Sequence, residues 1–588
     1  MRTDHPAVLP ADRAAYPLDE GIRMETAGTG ARPTQAARER RGWASRAALP
    51  CAGRTLVVTI AAAFLAAPAA RAQSGRLWRP DERILITSFN ELGAVTADLR
   101  RVYAASPGGI EIYDYAARRW EPPITLEDGF PSGEQPTALL YDRFLDALWM
   151  GTEIGNLYLY RMHSGQWESL GPVPGGPVLR IVSDASTGEV FVATPAGWMR
   201  LGRGSLFPEP VPPGAGPGRL GDLSPEAELR RLDPFFDAIR GTLTLDERLR
   251  RWPITDVEPA DQPARFWVAT RGGNLLYYDS RRMSADWLSY GVLTRGVGAL
   301  GSDGAQIWFG GDGRGVRRGV TVATAGLQRW KHYEPEHDGA PAGHVWDILP
   351  ATAAVWFAAS DGLYRLDRAE GRWQRLTERE GLPAREALAL APGPGGVWVG
   401  TRNGLTFVTD GCEVEREALL PARRILALLS SRDTLWIATE HGLWILPDAS
   451  AARQPDAGAR GGIAPVPAPG SQAQPGLRGE VRDVQPLGDA VFVITADALH
   501  RLDGTGWSGP LRDGVAGLGR LHALAAADGQ LWVAGDAGAA RYDHESRIWT
   551  RYLQPADIPE GPVRDVLPAG DDVWLATPAG ALRLRWRF

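Results

Sequence analysis

The chain has 588 residues, with 64 Lys and Arg against 70 Asp and Glu, and its net charge is −6. Acidic and basic residues are interspersed along the sequence, which argues against a single-sign surface for nucleic acid. There are two cysteines, Cys51 and Cys412, so an internal disulfide framework is excluded if the first is removed with a leader. The length is sufficient for two or more hydrophobic cores.

The N-terminal region has the composition of an extension followed by a targeting segment. Residues 1–45 are rich in Pro, Ala, Gly and Arg without a hydrophobic period, and we expect them to be disordered. Residues 46–72 combine basic residues, the apolar run Leu56–Ala67 and the cleavage motif Ala70-Arg71-Ala72, which are typical of a signal peptide. The apolar run is too short for a permanent membrane span. We expect an exported protein, periplasmic or at the cell surface, without an integral membrane segment after cleavage.

The remainder of the chain repeats one unit, which is clearest in VWVGTRNGLTFVTD from Val397 to Asp410. Residues alternate at period two as in a pleated strand, and Asn403-Gly404 supplies a hairpin turn before a return strand. Eleven copies carry an aromatic anchor at one position: Tyr103, Trp149, Phe191, Trp267, Trp308, Trp356, Trp398, Trp436, Phe492, Trp532 and Trp574. A period of about 40–45 residues with several strands per repeat is the sequence signature of propeller blades.

Each repeat has further strands on both sides of this hairpin. An apolar strand such as VRDVLP, from Val563, precedes the anchor, and a Trp-bearing strand follows the return strand. The Trp-bearing strands contain Trp120, Trp167, Trp287, Trp330, Trp373, Trp507 and Trp549. The sequence therefore predicts an all-β protein, a β-propeller of about eleven four-stranded blades, and inter-blade packing is the first explanation of its tryptophans.

The repeat resembles that of the two-component regulator propeller family of bacterial extracytoplasmic proteins. Gly381-Leu382-Pro383 leads into Trp398-Val399-Gly400-Thr401 and then Gly404-Leu405, in the order that the family motif has. The resemblance covers most of the chain from about residue 76 onward. It implies a propeller fold and a role in sensing or in assembly at the cell envelope, because the family includes periplasmic sensor regions that recognise glycan fragments and propeller subunits of secretion machinery.

Two irregular spacings between anchors suggest how the blades are grouped. Residues 203–248 are Pro/Gly-rich and then helical, and residues 449–478 have the composition of a flexible linker. Unpaired segments around Trp78 and Trp252 are candidates for closing blades eleven and eight, since an open sheet edge is an aggregation hazard. These features predict a five-bladed ring, residues 249–448, inserted into a six-bladed ring of residues 73–202 and 479–588. A single eleven-bladed ring is the alternative.

The segment between blades three and four predicts helices with an apolar face. Ser224-Pro225 has the form of an N-cap followed by proline at the first helical position, and Thr244 with Glu247 forms a capping box for a second helix. The apolar face must be buried, either on the propeller or in a partner's groove. The second reading makes Phe235 and Phe236 candidate partner-binding residues.

The hairpin turns are expected to surround one mouth of a channel, where loops on a rigid scaffold often form binding sites. In the predicted five-bladed ring the turn side chains are Arg271, Asp312, Asp361, Arg402, Glu440 and His441. This mixed-charge rim suits a polar ligand such as a sugar or a peptide, and it is equally what solvated turns contain. The recurring aspartates Asp256, Asp347, Asp483 and Asp565 could ring a channel or bind neighbouring backbone amides, and the structural role is the favoured one.

The remaining candidates give no pattern typical of catalysis. The spacing of His332, His337 and His344 fits no standard metal motif, and no metal or other cofactor is predicted. We therefore expect an exported, non-enzymatic propeller that recognises a partner protein or an oligosaccharide. The alternatives are a glycan-binding sensor that acts through a separate signalling protein and a propeller-type lyase or hydrolase, because fold does not determine function.

Overall fold

The computed structural model describes residues 78–587, apart from residues 80, 203–206, 213, 218–222, 316, 416–418, 450–464 and 474. The predicted N-terminal extension and signal peptide lie outside the described residues. Within the described part, no helix is long and apolar enough to cross a membrane.

The described residues form eleven antiparallel sheets, which confirms the predicted β-propeller. We number them as blades 1 to 11 in chain order. Blade 1 consists of the strands Ala94–Ala97, Arg101–Ser106, Gly109–Asp114 and Arg119–Thr125, and blade 2 of Pro136–Asp142, Ala147–Thr152, Asn156–Arg161 and Gln166–Pro172. Blade 3 consists of Arg180–Ser183, Val190–Thr194, Gly197–Leu201 and Glu209–Pro210, and blade 4 of Ile254–Pro259, Arg265–Thr270, Asn274–Asp279 and Ser284–Leu288. Blade 5 consists of Val297–Ser302, Gln306–Gly311, Val320–Thr324 and Trp330–Tyr333, and blade 6 of Val345–Pro350, Ala354–Ala359, Gly362–Asp367 and Trp373–Leu376. Blade 7 consists of three strands, Ala387–Gly393, Gly396–Thr401 and Gly404–Thr409, and blade 8 of Ile425–Ser431, Thr434–Thr439, Gly442–Leu446 and Val466–Pro467. Blade 9 consists of Val481–Leu487, Ala490–Thr495, Leu499–Asp503 and Gly506–Leu511, and blade 10 of Leu521–Ala527, Gln530–Gly535, Gly538–Asp543 and Trp549–Leu553. Blade 11 consists of Asp565–Ala569, Asp572–Thr577, Gly580–Arg585 and Arg83–Ile86.

Blade 11 is completed by the N-terminal strand Arg83–Ile86, which pairs with Gly580–Arg585. The sequence predicted this closure for the segment that contains Trp78, which directly precedes the strand. The indole Nε1 of Trp78 donates to the Asp557 carboxylate at 3.1 Å. The chain ends are thus joined in one sheet, and this part of the ring-closure prediction is confirmed.

Blade 8 is completed by Val466–Pro467, not by the segment that contains Trp252. The prediction for Trp252 is therefore wrong. Its indole Nε1 instead donates to Asp246 at 3.1 Å, and its ring lies under the guanidinium groups of Arg250 and Arg317. The C-terminal part of the predicted flexible linker also has regular structure, since two 3₁₀ helices, Ser471–Ala473 and Pro475–Arg478, follow the short strand.

The first strands of blades 5 to 11 contact one another in sequence order, and the first strand of blade 11 contacts that of blade 5. Asp565 of blade 11 accepts a hydrogen bond from the Leu300 amide of blade 5 at 2.8 Å. These seven blades therefore form one closed ring. The predicted five-bladed ring inserted into a six-bladed ring is not what these contacts show. Repeat spacing identifies blades but carries no information on which blade contacts which.

Blades 4, 1, 2 and 3 form a second array, in that order of contact. Asp256 of blade 4 accepts from the Val95 amide of blade 1 at 2.9 Å. Helix α1, Pro225–Leu232, packs beside the first strand of blade 4, and its Glu228 pairs with Arg180 of blade 3. The helix thus lies between the two end blades of this array.

The helical segment agrees with the sequence at one helix and not at the other. Ser224 caps α1 as predicted, since its hydroxyl accepts from the Ala227 amide at 3.2 Å. A second helix, α2, spans Phe236–Ile239, whereas the residues that follow Thr244 form turns instead of the predicted helix. A third short helix, α3, spans Pro335–Asp338 after blade 5.

Apolar residues fill the interfaces between blades. The anchor tryptophans Trp149, Trp356, Trp532 and Trp574 are almost fully buried, as the packing explanation of the repeat requires. One core cluster includes Trp120 of blade 1, Phe309 of blade 5 and Trp574 of blade 11, together with Tyr290 from the segment between blades 4 and 5. The two arrays therefore share a hydrophobic core.

Candidate functional site

A cavity of about 880 Å³ occupies the channel of the seven-bladed ring and is lined by residues from the first strands of all seven blades. In six of these blades the register with the second strand shifts after the first residue of the strand, which is the mark of a β-bulge. A bulge leaves one residue unpaired and re-aims its side chain. The bulge residues all line the cavity, and they are Gly298, Trp346, Leu388, Leu426, Arg482 and His522. In blade 11, Arg564 precedes the first strand at the corresponding position and lines the cavity as well.

The recurring aspartates lie deeper in the channel and act as fasteners between blades. Asp347 accepts from the Leu390 amide of the next blade at 2.8 Å, and Asp483 accepts from Leu524 at 2.6 Å. Asp483 and Asp565 also accept from the amide of the residue that follows each of them. This geometry supports the structural role that the sequence favoured, in which buried carboxylates bind backbone amides.

The same aspartates make the throat of the channel acidic. Burial raises the pKa of Asp347 to about 7, that of Asp483 to about 8 and that of Asp565 to about 6, although the backbone amide donors lower each of them. The neighbouring carboxylates of Asp347 and Asp565 raise the pKa of Asp483 further. In the described part of the chain, no group of three or more His, Cys, Asp or Glu side chains is arranged to hold a metal ion.

A hydrogen-bonded network occupies the mouth on the side of blades 9 and 10. Arg482 Nη1 donates to His522 Nδ1 at 3.1 Å, and His522 Nε2 donates to Asp536 at 2.6 Å. Both imidazole nitrogens are therefore engaged within the protein. Glu480 pairs with Arg482 at 3.1 Å and with Arg520 at 3.2 Å, so its two oxygens are occupied.

Three arginines at the mouth carry buried nitrogens without a hydrogen-bond acceptor among the described residues. Arg424 is half-buried and its Nε has no hydrogen-bond acceptor among the described residues. The Nε of Arg482 and the Nη1 of Arg564 also have no hydrogen-bond acceptor among the described residues. The carboxylate of Asp312 is 3.6 Å from Arg564 Nη1. Buried donors are normally satisfied, so a ligand with acceptor oxygens would suit this position.

An exposed aromatic side chain completes the mouth on the side of blade 6. Trp346 is 41% exposed although it lines a cavity, and its ring packs on His344 with centroids 4.0 Å apart. His344 is in turn held by the carbonyl oxygen of Asp312, 3.2 Å from its Nδ1, and burial lowers its pKa. Trp346 is therefore held in place by packing on one side.

The predicted turn residues are distributed around the molecule rather than concentrated in the cavity. Asp312 lines the cavity. Glu440 accepts from the Arg424 amide at 3.3 Å and is 3.8 Å from His441, so both lie beside the mouth. Asp361 accepts from the Tyr364 hydroxyl at 2.7 Å, and Arg402 pairs with Glu386 at 3.0 Å. The residues that line the cavity do not include Glu440, His441, Asp361 or Arg402.

Arg271 does not join these residues, because it lies on blade 4 in the other array. The candidate partner-binding residues also separate. Phe236 is fully buried in a core cluster with Leu229 and Val268, so it contributes to packing, whereas Phe235 is 65% exposed. A partner-binding role for Phe235 stays a prediction.

Sequence reasoning missed Trp346, Arg482, His522 and Arg564 as channel residues. The signal was present in VWDILP, VRDVQP and VRDVLP, where the residue before the recurring aspartate varies while its neighbours do not. Residues next to each other on a regular strand point to opposite faces. A bulge alters this alternation, and nothing in the composition of these strands indicates one.

No protein-family model and no curated protein matches the sequence. Among solved structures, the extracellular domain of a hybrid two component system of B. thetaiotaomicron aligns with a TM-score of 0.40 at 12% identity, covering 84% of this chain and 69% of that chain. A second such domain from the same organism aligns with a TM-score of 0.40 at 15% identity, over 84% and 68% of the two chains. A computationally designed protein, Ika8, aligns with a TM-score of 0.35 at 15% identity, over 57% and 97%. These similarities carry no argument about function, and the family resemblance stays a prediction.

Proposed function

We propose that this protein is a non-enzymatic recognition propeller whose binding site is the mouth of the seven-bladed channel. The observation that carries the proposal is the cavity of about 880 Å³, which is lined by the side chains of five bulge residues. Its volume lies in the range of pockets that enclose small ligands. The rigid ring positions the lining residues, which suits the binding of a polar ligand or of a segment of a partner protein.

Recognition is a better account of the mouth than catalysis. A general base must be within hydrogen-bond reach of the proton that it abstracts. His522 has Arg482 on one ring nitrogen and Asp536 on the other. The throat aspartates are occupied by backbone amides. The side chains of His522 and of the throat aspartates are thus hydrogen-bonded to other groups of the propeller. Export to the cell envelope is part of the proposal and rests on the signal-like sequence of residues 46–72.

The proposal is tested by ligand binding to the full chain and to a variant with a blocked channel. Leu426 and Gln485 line the cavity from neighbouring blades, and the double substitution Leu426→Trp with Gln485→Trp adds bulk there. Isothermal titration with neutral oligosaccharides, acidic oligosaccharides and short peptides should find at least one ligand that binds the natural chain and is lost in the blocked variant. A ligand that binds both proteins equally, or the absence of binding by every class, would refute the channel as the site.

A further inference from the structure

The ring of bulge residues is divided into two chemically different arcs. Blades 6, 7 and 8 contribute Trp346, Leu388 and Leu426. The corresponding residues of blades 9, 10 and 11 are Arg482, His522 and Arg564. Five of these residues are bulges at the same position in their strands, and Arg564 occupies the corresponding position directly before its strand, so we place the six side chains at a similar depth in the channel. One side of the mouth is therefore apolar and the other side is cationic and polar.

The apolar arc is suited to a flat or branched hydrocarbon group. Trp346 leaves 41% of its surface exposed, which is unusual for an indole that also packs against a neighbouring ring. Burying an apolar side chain of this size gives about 25 cal/mol for each Å² removed from water. The exposed indole, next to two leucines in a concave site, thus offers binding free energy to an apolar group.

The cationic arc is suited to a carboxylate. Two carboxylates at the mouth are already used, since Glu480 binds Arg482 and Arg520 and Asp536 binds His522. Arg424, at the start of blade 8 beside this arc, keeps a buried Nε–H without a hydrogen-bond acceptor among the described residues, and Arg564 keeps a buried Nη1–H whose neighbour Asp312, at 3.6 Å, is beyond hydrogen-bond distance. Guanidinium groups bind carboxylates through two parallel hydrogen bonds, which are stronger than bonds between neutral groups.

The throat offers an anion no guanidinium donor of its own. Asp347, Asp483 and Asp565 follow Trp346, Arg482 and Arg564 along the chain, and each carboxyl group is held in place by backbone amides. An acid group is therefore favoured at the level of the arginines.

We propose that the mouth binds an amphipathic carboxylate, with the acid group on Arg424 and Arg564 and an apolar group on Trp346. This inference rests on the proposed function and specifies its ligand class. A peptide C-terminus with an apolar last residue and a small aromatic acid share this chemistry. The cavity volume of about 880 Å³ accommodates either of them.

The test is isothermal titration of the full chain with two pairs of probes. The first pair is acetyl-Leu-Phe with a free carboxylate and the same peptide as its C-terminal amide. The second pair is 3-phenylpropionate and its amide. In at least one pair, the acid should bind about 10- to 100-fold more tightly than the amide, because charged hydrogen bonds are lost in the amide. The pair that shows the difference identifies the source of the carboxylate.

Variants locate the effect. Arg424→Gln and Arg564→Gln should each weaken binding of the acid about 10- to 100-fold and leave the amide unchanged. Trp346→Ala should weaken both members of a pair about 10-fold. The matched control is Arg281→Gln, on an exposed turn of blade 4, which should change neither affinity.

Equal affinities for acid and amide would overturn the inference, and so would an acid that binds Arg424→Gln and Arg564→Gln as it binds the natural chain. If neutral oligosaccharides bind and are lost in the blocked variant while neither acid binds, the ligand class is wrong and the proposed function stands. The acid–amide comparison uses the natural chain alone, so it decides the question even if a variant fails to fold.

Discussion

Glu334 is a carboxylate that pairs with three arginines, and it connects the helical segment to blade 5. Arg248, Arg250 and Arg317 all donate to it, at 2.9, 2.7 and 2.6 Å. Arg317 also donates to Asn90 and to the carbonyl oxygen of Gly272 in blade 4. The side chain of Glu334 is only 7% exposed, so these bonds are little screened by water. Arg248 and Arg250 each have a second carboxylate, Asp338 and Asp246, whereas Glu334 is the carboxylate that pairs with Arg317.

Glu334→Gln should lower the free energy of unfolding by about 3–5 kcal/mol, because it leaves the buried Arg317 without its carboxylate and removes one of two carboxylates from Arg248 and Arg250. Urea unfolding of the two proteins measures the difference. Glu370→Gln is the matched control, since Glu370 is 59% exposed in its pair with Arg372 and should change stability by less than about 0.5 kcal/mol. Equal effects of the two substitutions would contradict the role assigned to Glu334.

The pKa of Glu334 gives this contribution a pH dependence. Burial alone would raise the pKa, but the hydrogen bonds and charges of Arg250 and Arg317 outweigh it and lower the pKa from 4.5 to about 2. The folded state therefore binds its proton less tightly than the unfolded state. The contribution of about 3 kcal/mol is present above pH 4.5 and is lost as the pH falls towards 2. The stability difference between the natural chain and Glu334→Gln should shrink over that interval.

Glu111 presents the opposite case of a buried acid. It is 1% exposed, and neither carboxyl oxygen has a hydrogen-bond partner among the described residues. Burial raises its pKa well above 4.5. Its charge also acts on Tyr290, whose pKa is raised first by burial and then by Glu111, while Arg583 acts in the other direction.

Glu111→Met should stabilise the protein at pH 7 by about 1–3 kcal/mol, because an unsatisfied buried polar group is removed. Below pH 4.5 Glu111 is protonated in both the folded and the unfolded state. As the pH rises above 4.5, the unfolded state releases the proton first, so the free energy of unfolding of the natural chain falls. The gain from the substitution should therefore increase between pH 4.5 and pH 7 in unfolding titrations. A gain that is constant with pH would show that Glu111 is not a raised-pKa acid; the exposed Glu413→Met serves as control.

Among the elements, the strand Arg83–Ile86 is the one that joins the chain ends. Ile86 pairs with Ala581 and is fully buried in the core cluster that contains Trp574. The strand pairs with Gly580–Arg585 and places Ile86 in that core, so it contributes to the stability of blade 11 although it has only four residues.

Ile86→Ala should reduce the free energy of unfolding by about 2–5 kcal/mol, which is typical when a large side chain is removed from a core. Leu99→Ala removes similar bulk from a side chain that is 97% exposed and should change stability by less than about 0.5 kcal/mol. Thermal or urea unfolding compares the two. If Ile86→Ala is as harmless as Leu99→Ala, the N-terminal strand does not complete blade 11 in solution.

The sequence was informative about elements wherever a residue pattern and a local structure coincide. The Trp-bearing strands, the anchor strands and the Ser224 cap were predictable, because periodicity and capping depend on neighbouring residues. Val466–Pro467 was not, since a two-residue strand has no periodicity. The channel residues were missed for a related reason, because the bulges that direct Trp346 and Arg482 into the channel depend on pairing with the next strand.

For the whole molecule, the order of blades was beyond the sequence. Blade interfaces are built from similar apolar residues, so any two blades could pack by composition alone. The contact of blade 11 with blade 5 depends on specific bonds, such as that between Asp565 and the Leu300 amide. The aspartate that makes the bond was visible in the sequence, but the amide that it binds was not.

The two arrays of blades are expected to unfold as one unit, because they share a core. Tyr290 lies at their junction, 4.7 Å from Trp120 of blade 1 and 5.2 Å from Trp330 of blade 5 between ring centroids. It is 2% exposed. Calorimetry of the natural chain should show one unfolding transition for the two arrays of blades, since coupled cores unfold cooperatively.

Tyr290→Ala should lower stability by about 3–5 kcal/mol and separate that transition into two, because the aromatic contacts that couple the arrays are removed. Phe492→Ala is the matched control, as Phe492 is equally buried but contacts Tyr542 within the seven-bladed ring. It should lower the melting temperature and preserve a single transition. Two transitions in the natural chain, or one in Tyr290→Ala, would mean that the junction does not couple the arrays. In that case a ligand bound at the channel mouth would stabilise only the seven blades around it.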